Sequence, residues 1–218
     1  MTRSAVAFRT GKLQLEGIIS LPEGTPGPYP AILVCHPHPM LGGNMENPVV
    51  AAICEAAARE GFASLCFNFR GVGGSEGSFG EGEREQEDVK AALGVLRAWP
   101  GVDRKRTVLA GYSFGAGVIL GGLRHYKACR ALALIAPPIS AIRTSRVRDD
   151  RRPKLFVVGD KDRLVESVAL QGELDGVRQP VRFREIRGAD HGLSGFEEGV
   201  AAHVVAFARQ TLETDGSI

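Results

Sequence analysis

The chain has 218 residues, 44% of them hydrophobic and 24% charged, with 27 basic residues against 25 acidic ones for a net charge of +2. That length can bury a sizeable core, and the near-neutral balance gives no handle for nucleic acid or an anionic membrane surface. No apolar run reaches transmembrane length, and residues 1–10 lack the apolar core and cleavage site of a secretion signal.

In chain order, residues 6–8 and 13–21 read as two strands joined in a hairpin at Thr10-Gly11-Lys12. A Pro/Gly-rich loop fills 22–30. Residues 31–35 (Ala-Ile-Leu-Val-Cys) form a continuous apolar run, the pattern of a strand buried on both faces. After an irregular stretch to Pro48, residues 49–60 carry Val50, Ile53 and Ala57 at helical spacing and stop at Gly61. Residues 62–67 read as a strand and 71–82 as a glycine-rich loop. Residues 83–98 read as a helix, with Glu83, Glu85, Glu87 and Asp88 at the positive end of its dipole and Pro100-Gly101 as its stop.

Residues 107–110 form a short buried strand, and a helix starts near Ala116. Strands follow at 131–136, 154–159 and 181–186, and helices at 166–174 and 197–212. This alternation predicts one α/β domain over 1–218, with a mostly parallel sheet covered by helices on both faces. The four cysteines, Cys35, Cys54, Cys66 and Cys129, show neither paired nor metal-type spacing. Buried thiols in a reducing cytoplasm are the expectation.

The chemistry centres on Gly111-Tyr112-Ser113-Phe114-Gly115, set between the strand and the helix. A Gly-x-Ser-x-Gly in a strand–turn–helix context is a nucleophile elbow. A serine hydroxyl needs a base within hydrogen-bond reach and a third group to hold that base. Val157-Val158-Gly159-Asp160-Lys161-Asp162 supplies two acids at a strand end, Asp160 and Asp162, which spacing alone does not separate. The loop after the last predicted strand, Arg187-Gly188-Ala189-Asp190-His191-Gly192, contains one histidine, His191. Asp190 beside it reads as a turn residue.

An oxyanion needs two N–H donors. Phe114, after the nucleophile, is one candidate. In Cys35-His36-Pro37-His38-Pro39 the prolines have no N–H, which leaves the His38 backbone as the other. His36-x-His38 lacks the further ligands zinc requires, so neither metal nor cofactor is expected. The glycines at 71, 73, 74 and 77 are out of phosphate-loop register, and a loop closing over the sheet edge near the elbow is preferred. Arg143, Arg146, Arg148, Arg151, Arg152 and Lys154, broken by Asp149 and Asp150, read as a solvated loop.

Five stretches carry a resemblance: Cys35 to Pro39 with Gly42-Gly43-Asn44-Met45, Arg70-Gly71-Val72-Gly73-Gly74-Ser75, the elbow, Gly159-Asp160-Lys161-Asp162, and Asp190-His191. In that order, over nearly the whole chain, they resemble the small bacterial α/β-hydrolases of the dienelactone-hydrolase-like, serine-esterase type. The resemblance implies an α/β-hydrolase fold with Ser113 as nucleophile, Asp162 as orienting acid, His191 as base, and His38 and Phe114 as oxyanion donors. Dienelactone hydrolases proper use a cysteine nucleophile, so the serine here implies ester chemistry. The usual lid position, residues 137–153, is short, which implies an open site for small or short-acyl esters. Thioester, lactone or peptide cleavage by the same residues, and a non-catalytic binding scaffold, are the alternatives. The expected partner is a small-molecule ester, and homo-oligomerisation is left open.

Overall fold

The computed structural model describes residues 1–24 and 26–213. The expected loop at 22–30 is therefore described apart from residue 25, and residues 214–218 of the expected single unit lie outside the described residues.

The chain opens with an antiparallel hairpin of β1 (Thr2–Thr10) and β2 (Leu13–Leu21). β3 (Tyr29–Cys35) leads into a single 3-10 turn at Pro39–Leu41. Helix α1 (Pro48–Arg59) starts where Pro48 presets the backbone and the Asn47 side chain accepts from the Val49 N–H at 3.0 Å. It is followed by β4 (Ala63–Phe67) and α2 (Glu85–Ala98). β5 (Val102–Tyr112) delivers the elbow, and α3 (Phe114–Gly121) leaves it. The rest runs β6 (Ala131–Ile135), α4 (Ile139–Thr144), β7 (Lys154–Gly159), α5 (Ser167–Leu174), β8 (Val181–Ile186) and α6 (Glu197–Glu213).

The eight strands make one sheet in the order β1-β2-β4-β3-β5-β6-β7-β8. The β1–β2 and β2–β4 pairs are antiparallel and the other pairs are parallel. The apolar run of β3 divides as its pleat dictates: Ala31, Leu33 and Cys35 join one core, Ile32 and Val34 the other. The first core is covered by α2, α3, α4 and α5 through Leu96, Ile119, Ile142 and Leu170; the second is covered by α1 and α6 through Ile53 and Val204. This is the α/β-hydrolase architecture. No helix of the described residues is long and apolar enough to cross a membrane.

Four expectations need correction. β1 runs Thr2–Thr10 rather than 6–8, because it pairs with β2 along its whole length although its outer residues are exposed. β5 runs eleven residues, well beyond the expected 107–110, because the polar segment Asp103 to Arg106 extends it. The connection between β6 and β7, where no helix was expected, contains the six-residue α4, and it is as short as expected. The basic stretch 143–154 is not solvated throughout. Lys154 is fully buried, and its Nζ donates to the carbonyls of Asp150 (2.7 Å), Arg152 (2.6 Å) and Arg178 (3.0 Å). Burial pushes the Lys154 ammonium down to about 8.

Candidate active site

The elbow is built by close backbone approach. A Cβ on Gly111 would meet the Ala116 nitrogen at 2.7 Å, and one on Gly115 would meet the Cys35 and His36 carbonyls at 2.6 and 2.7 Å. Both positions therefore require glycine, and the second presses the elbow against the end of β3. Ser113 sits at φ 51°, ψ −110°, a strained conformation for a residue with a Cβ. Its N–H is bonded to the Ile135 carbonyl at 2.8 Å, which helps to hold that conformation.

From the strained turn a hydrogen-bonded chain runs through three side chains. Ser113 Oγ lies 2.9 Å from His191 Nε2, and His191 Nδ1 lies 2.8 Å from Asp162 Oδ2. The Asp162 side chain has no exposed surface. Its other oxygen, Oδ1, accepts from the N–H groups of Leu164 (2.9 Å) and Val165 (2.8 Å). A carboxylate given two backbone donors and one imidazole N–H is well satisfied in its buried position. With Nδ1–H donated to Asp162, Nε2 is left as the acceptor for the serine hydroxyl.

The second acid has a different role. Asp160 Oδ1 accepts from the Gly188 N–H at 2.6 Å and so pins the turn that leads into the histidine loop. Asp190 Oδ1 accepts from the Gly192 N–H at 3.0 Å, a local turn bond. The alternative that spacing left open thus resolves in geometry: of the two acids, it is Asp162 that touches His191.

The two candidate oxyanion residues are neighbours. The His38 and Phe114 rings lie 5.0 Å apart, and Phe79 from the glycine-rich loop completes the cluster at 5.2 Å from His38 and 5.6 Å from Phe114. The glycine-rich loop therefore folds against the elbow, as the sequence suggested. Buried acids of α2 hold it there. Glu85 accepts from the Gly80 and Gly82 N–H groups at 2.6 and 2.8 Å, and Asp88 pairs with Arg70 at 2.6 Å. The helix dipole, which the sequence suggests for these acids, is therefore not their only role.

Two further residues went unpredicted. His36 is fully buried; its Nδ1–H donates to the Pro37 carbonyl at 2.7 Å, and its Nε2 accepts from the Phe69 N–H at 3.1 Å. The bond from Phe69 requires an unprotonated Nε2 and so the neutral ring, and burial, outweighing the bond to Pro37, holds His36 down to about 4. It thereby fixes the loop that leads to His38. Tyr112 is buried, and its hydroxyl donates to the His191 carbonyl at 2.6 Å. No sequence signal marks it, since it occupies the variable position of the elbow pattern.

An eight-stranded, mostly parallel sheet with a strained serine at the end of a central strand defines an α/β serine hydrolase. The relatives agree. An alpha-beta serine hydrolase homologue from Coxiella burnetii is 31% identical, superposes with a TM-score of 0.81, and aligns over 94% of this chain and 97% of its own. A serine hydrolase without lid from Xanthomonas campestris is 29% identical with a TM-score of 0.84, over 97% and 96% of the two chains. An uncharacterized protein of Rickettsia prowazekii is 32% identical over 170 residues, 74% of this chain and 71% of that one. The sequence profile of the X-Pro dipeptidyl-peptidase (S15) family matches residues 11–169, and the chain belongs to that family.

Proposed function

We propose that this hydrolase cleaves small or short-acyl carboxylic esters through Ser113, His191 and Asp162. The observation that carries the reading is the 2.9 Å approach of His191 Nε2 to Ser113 Oγ, with the imidazole backed at 2.8 Å by a buried carboxylate. Ser113 Oγ attacks the ester carbonyl while His191 Nε2 takes its proton. Asp162 keeps the imidazole in the required tautomer and stabilises the imidazolium. The backbone N–H groups of Phe114 and His38 receive the oxyanion. His191 then protonates the leaving alcohol, and a water activated by the same nitrogen releases the acid. His191 must be neutral at the start, because only an unprotonated Nε2 can accept the serine proton. The short β6–β7 connection supports small substrates, because nothing there would wrap a long chain. Four buried free cysteines fit a reducing, cytoplasmic setting.

The family match favours one second reading, cleavage of X-Pro peptides. An amide asks more of the site. Its poorer leaving group must be held still while His191 protonates it, and an open edge does this less well than a covered one. A fluorophosphonate probe and a substrate series separate the possibilities. The expected result is covalent labelling of Ser113, with p-nitrophenyl acetate and butyrate turned over faster than octanoate and faster than an X-Pro p-nitroanilide. Preference for octanoate would overturn the short-acyl reading, and preference for the anilide would establish the peptidase one. Absence of labelling and of turnover would leave a binding scaffold.

A further inference from the structure

We propose that Tyr112 is a positioning residue: its phenol fixes the backbone of the loop that carries His191, and so sets the reach of the base to the nucleophile. The inference rests on the reading of Ser113 and His191 as nucleophile and base. Three links close a ring. Tyr112 and Ser113 share a peptide bond, Ser113 Oγ meets His191 Nε2 at 2.9 Å, and the His191 carbonyl accepts from the Tyr112 hydroxyl at 2.6 Å.

The other tethers of this loop act elsewhere. Lys161 N–H to the Ala189 carbonyl (2.9 Å) and Gly188 N–H to Asp160 (2.6 Å) tie its beginning to the end of β7. The Leu193 N–H to Asp190 carbonyl bond (3.2 Å) stays within the loop. Asp162 holds the imidazole ring, while Tyr112 holds the backbone beneath it and connects that backbone to the elbow itself. The division matters because the ring changes charge during each turnover and a carbonyl does not. A bond to the carbonyl persists whether His191 is neutral or protonated. Burial, and then the nearby carboxylates of Asp162, Asp190 and Glu197, raise the Tyr112 hydroxyl to about 12, so it keeps its proton throughout. The tyrosine ring lies tilted at 36° to the imidazole with centroids 6.1 Å apart, close enough to limit movement of the loop without blocking Nε2.

Tyr112→Phe tests this, because it keeps the buried ring and removes only the donor. Tyr126→Phe is the control. Tyr126 is also buried, and its hydroxyl donates to the Gln86 carbonyl at 3.0 Å, away from the three side chains. For Tyr112→Phe, kcat with p-nitrophenyl acetate should fall about tenfold with KM within about twofold, and fluorophosphonate labelling of Ser113 should slow in parallel. The low-field proton resonance of His191 Nδ1–H should broaden, because the ring is held less tightly against Asp162. Tyr126→Phe should change the melting temperature and leave kcat and that resonance in place. Three results would overturn the proposal: Tyr112→Phe with kcat and labelling within twofold of the parent chain, equal loss of kcat in both variants, or loss of the fold in Tyr112→Phe, which would mark a purely structural role. If the parent chain itself is not labelled, the nucleophile assignment fails first and this inference falls with it.

Discussion

The two edges of the sheet treat polar groups in opposite ways. At the edge where β6 and β7 begin, every donor of Lys154 Nζ is spent on a backbone carbonyl, and Arg152 is bound to the Asp150 carboxylate, the Tyr126 carbonyl and the Cys129 sulfur. That cluster is saturated, and its chemistry is finished when the chain folds. At the edge where β5 and β7 end, Asp162 is saturated too, but its last bond goes to an imidazole whose other nitrogen faces a hydroxyl on a strained turn. Buried polar groups confer stability when all their bonds are made within the protein; they confer reactivity when one bond in the series can be exchanged for a bond to substrate. The polar side chains are similar in kind, and what separates the edges is the one exchangeable link.

Breaking that link should give the largest effect. Ser113→Ala should lower kcat for p-nitrophenyl acetate by four or more orders of magnitude, while chemical denaturation shows no loss of stability, because the hydroxyl makes no bond on which the fold depends. Next come the two carboxylates, the sharpest internal control the molecule offers. Asp162→Asn should cost about 100- to 10,000-fold in kcat, since an amide can present its own N–H to Nδ1 and favour the wrong tautomer. Asp160→Asn keeps an acceptor for the Gly188 N–H and should cost less than about tenfold. Steady-state kinetics on the pair check this; equal losses would mean that Asp160 also serves the imidazole.

How much of this was legible in the sequence follows from the kind of signal each feature leaves. The buried strands were visible because residues such as 31–35 have no polar interruption, and the elbow because its glycines answer a steric demand that any Cβ would violate. The edge strand β1 and the first half of β5 were shortened because exposed or charged positions, such as Arg3 and Asp103 to Arg106, carry no apolar period; Arg3 pairs with Ser20, while Asp103 to Arg106 fall in the register shift between the Tyr29–Val102 and Ala31–Thr107 pairs. Lys154 was misread because a charge within a run of charges looks solvated; its burial depends on three carbonyls from residues 150, 152 and 178, which only the folded chain brings together. His36 and Tyr112 were missed because each acts by one hydrogen bond to distant backbone, which no spacing records. Ser113 and His191 were found from motif and chain order, while the choice between Asp160 and Asp162 needed the resemblance first and then the geometry.

At the saturated edge the effect should fall on stability alone. Lys154→Met keeps most of the volume and leaves three carbonyls without their donor, so unfolding free energy should drop by roughly 2–5 kcal/mol with kcat unchanged wherever the variant is folded. Denaturant titration alongside an esterase assay checks it, and a parallel loss of kcat would show that the two edges are coupled.

The smallest effect, and the one that joins the two behaviours, concerns His36. It lies at the reactive edge but is saturated like Lys154, accepting from Phe69 and donating to Pro37. Burial holds its folded value down to about 4, against an ordinary histidine value near 6.5 in the unfolded chain. Between those values the unfolded chain takes up a proton that the native state refuses. The stability contributed by the neutral ring is therefore complete above about pH 6.5 and lost progressively as the pH falls toward 4, by on the order of 3 kcal/mol in total. Carboxylates also titrate in this window, so the measurement is a difference: urea unfolding at a series of pH values for the parent chain and for His36→Gln, whose side-chain oxygen can still accept from Phe69. The variant should lose less stability than the parent between pH 6.5 and 4. Equal slopes would mean that His36 protonates freely in the native state, and the loop leading to His38 would then be softer at this edge than its hydrogen bonds imply.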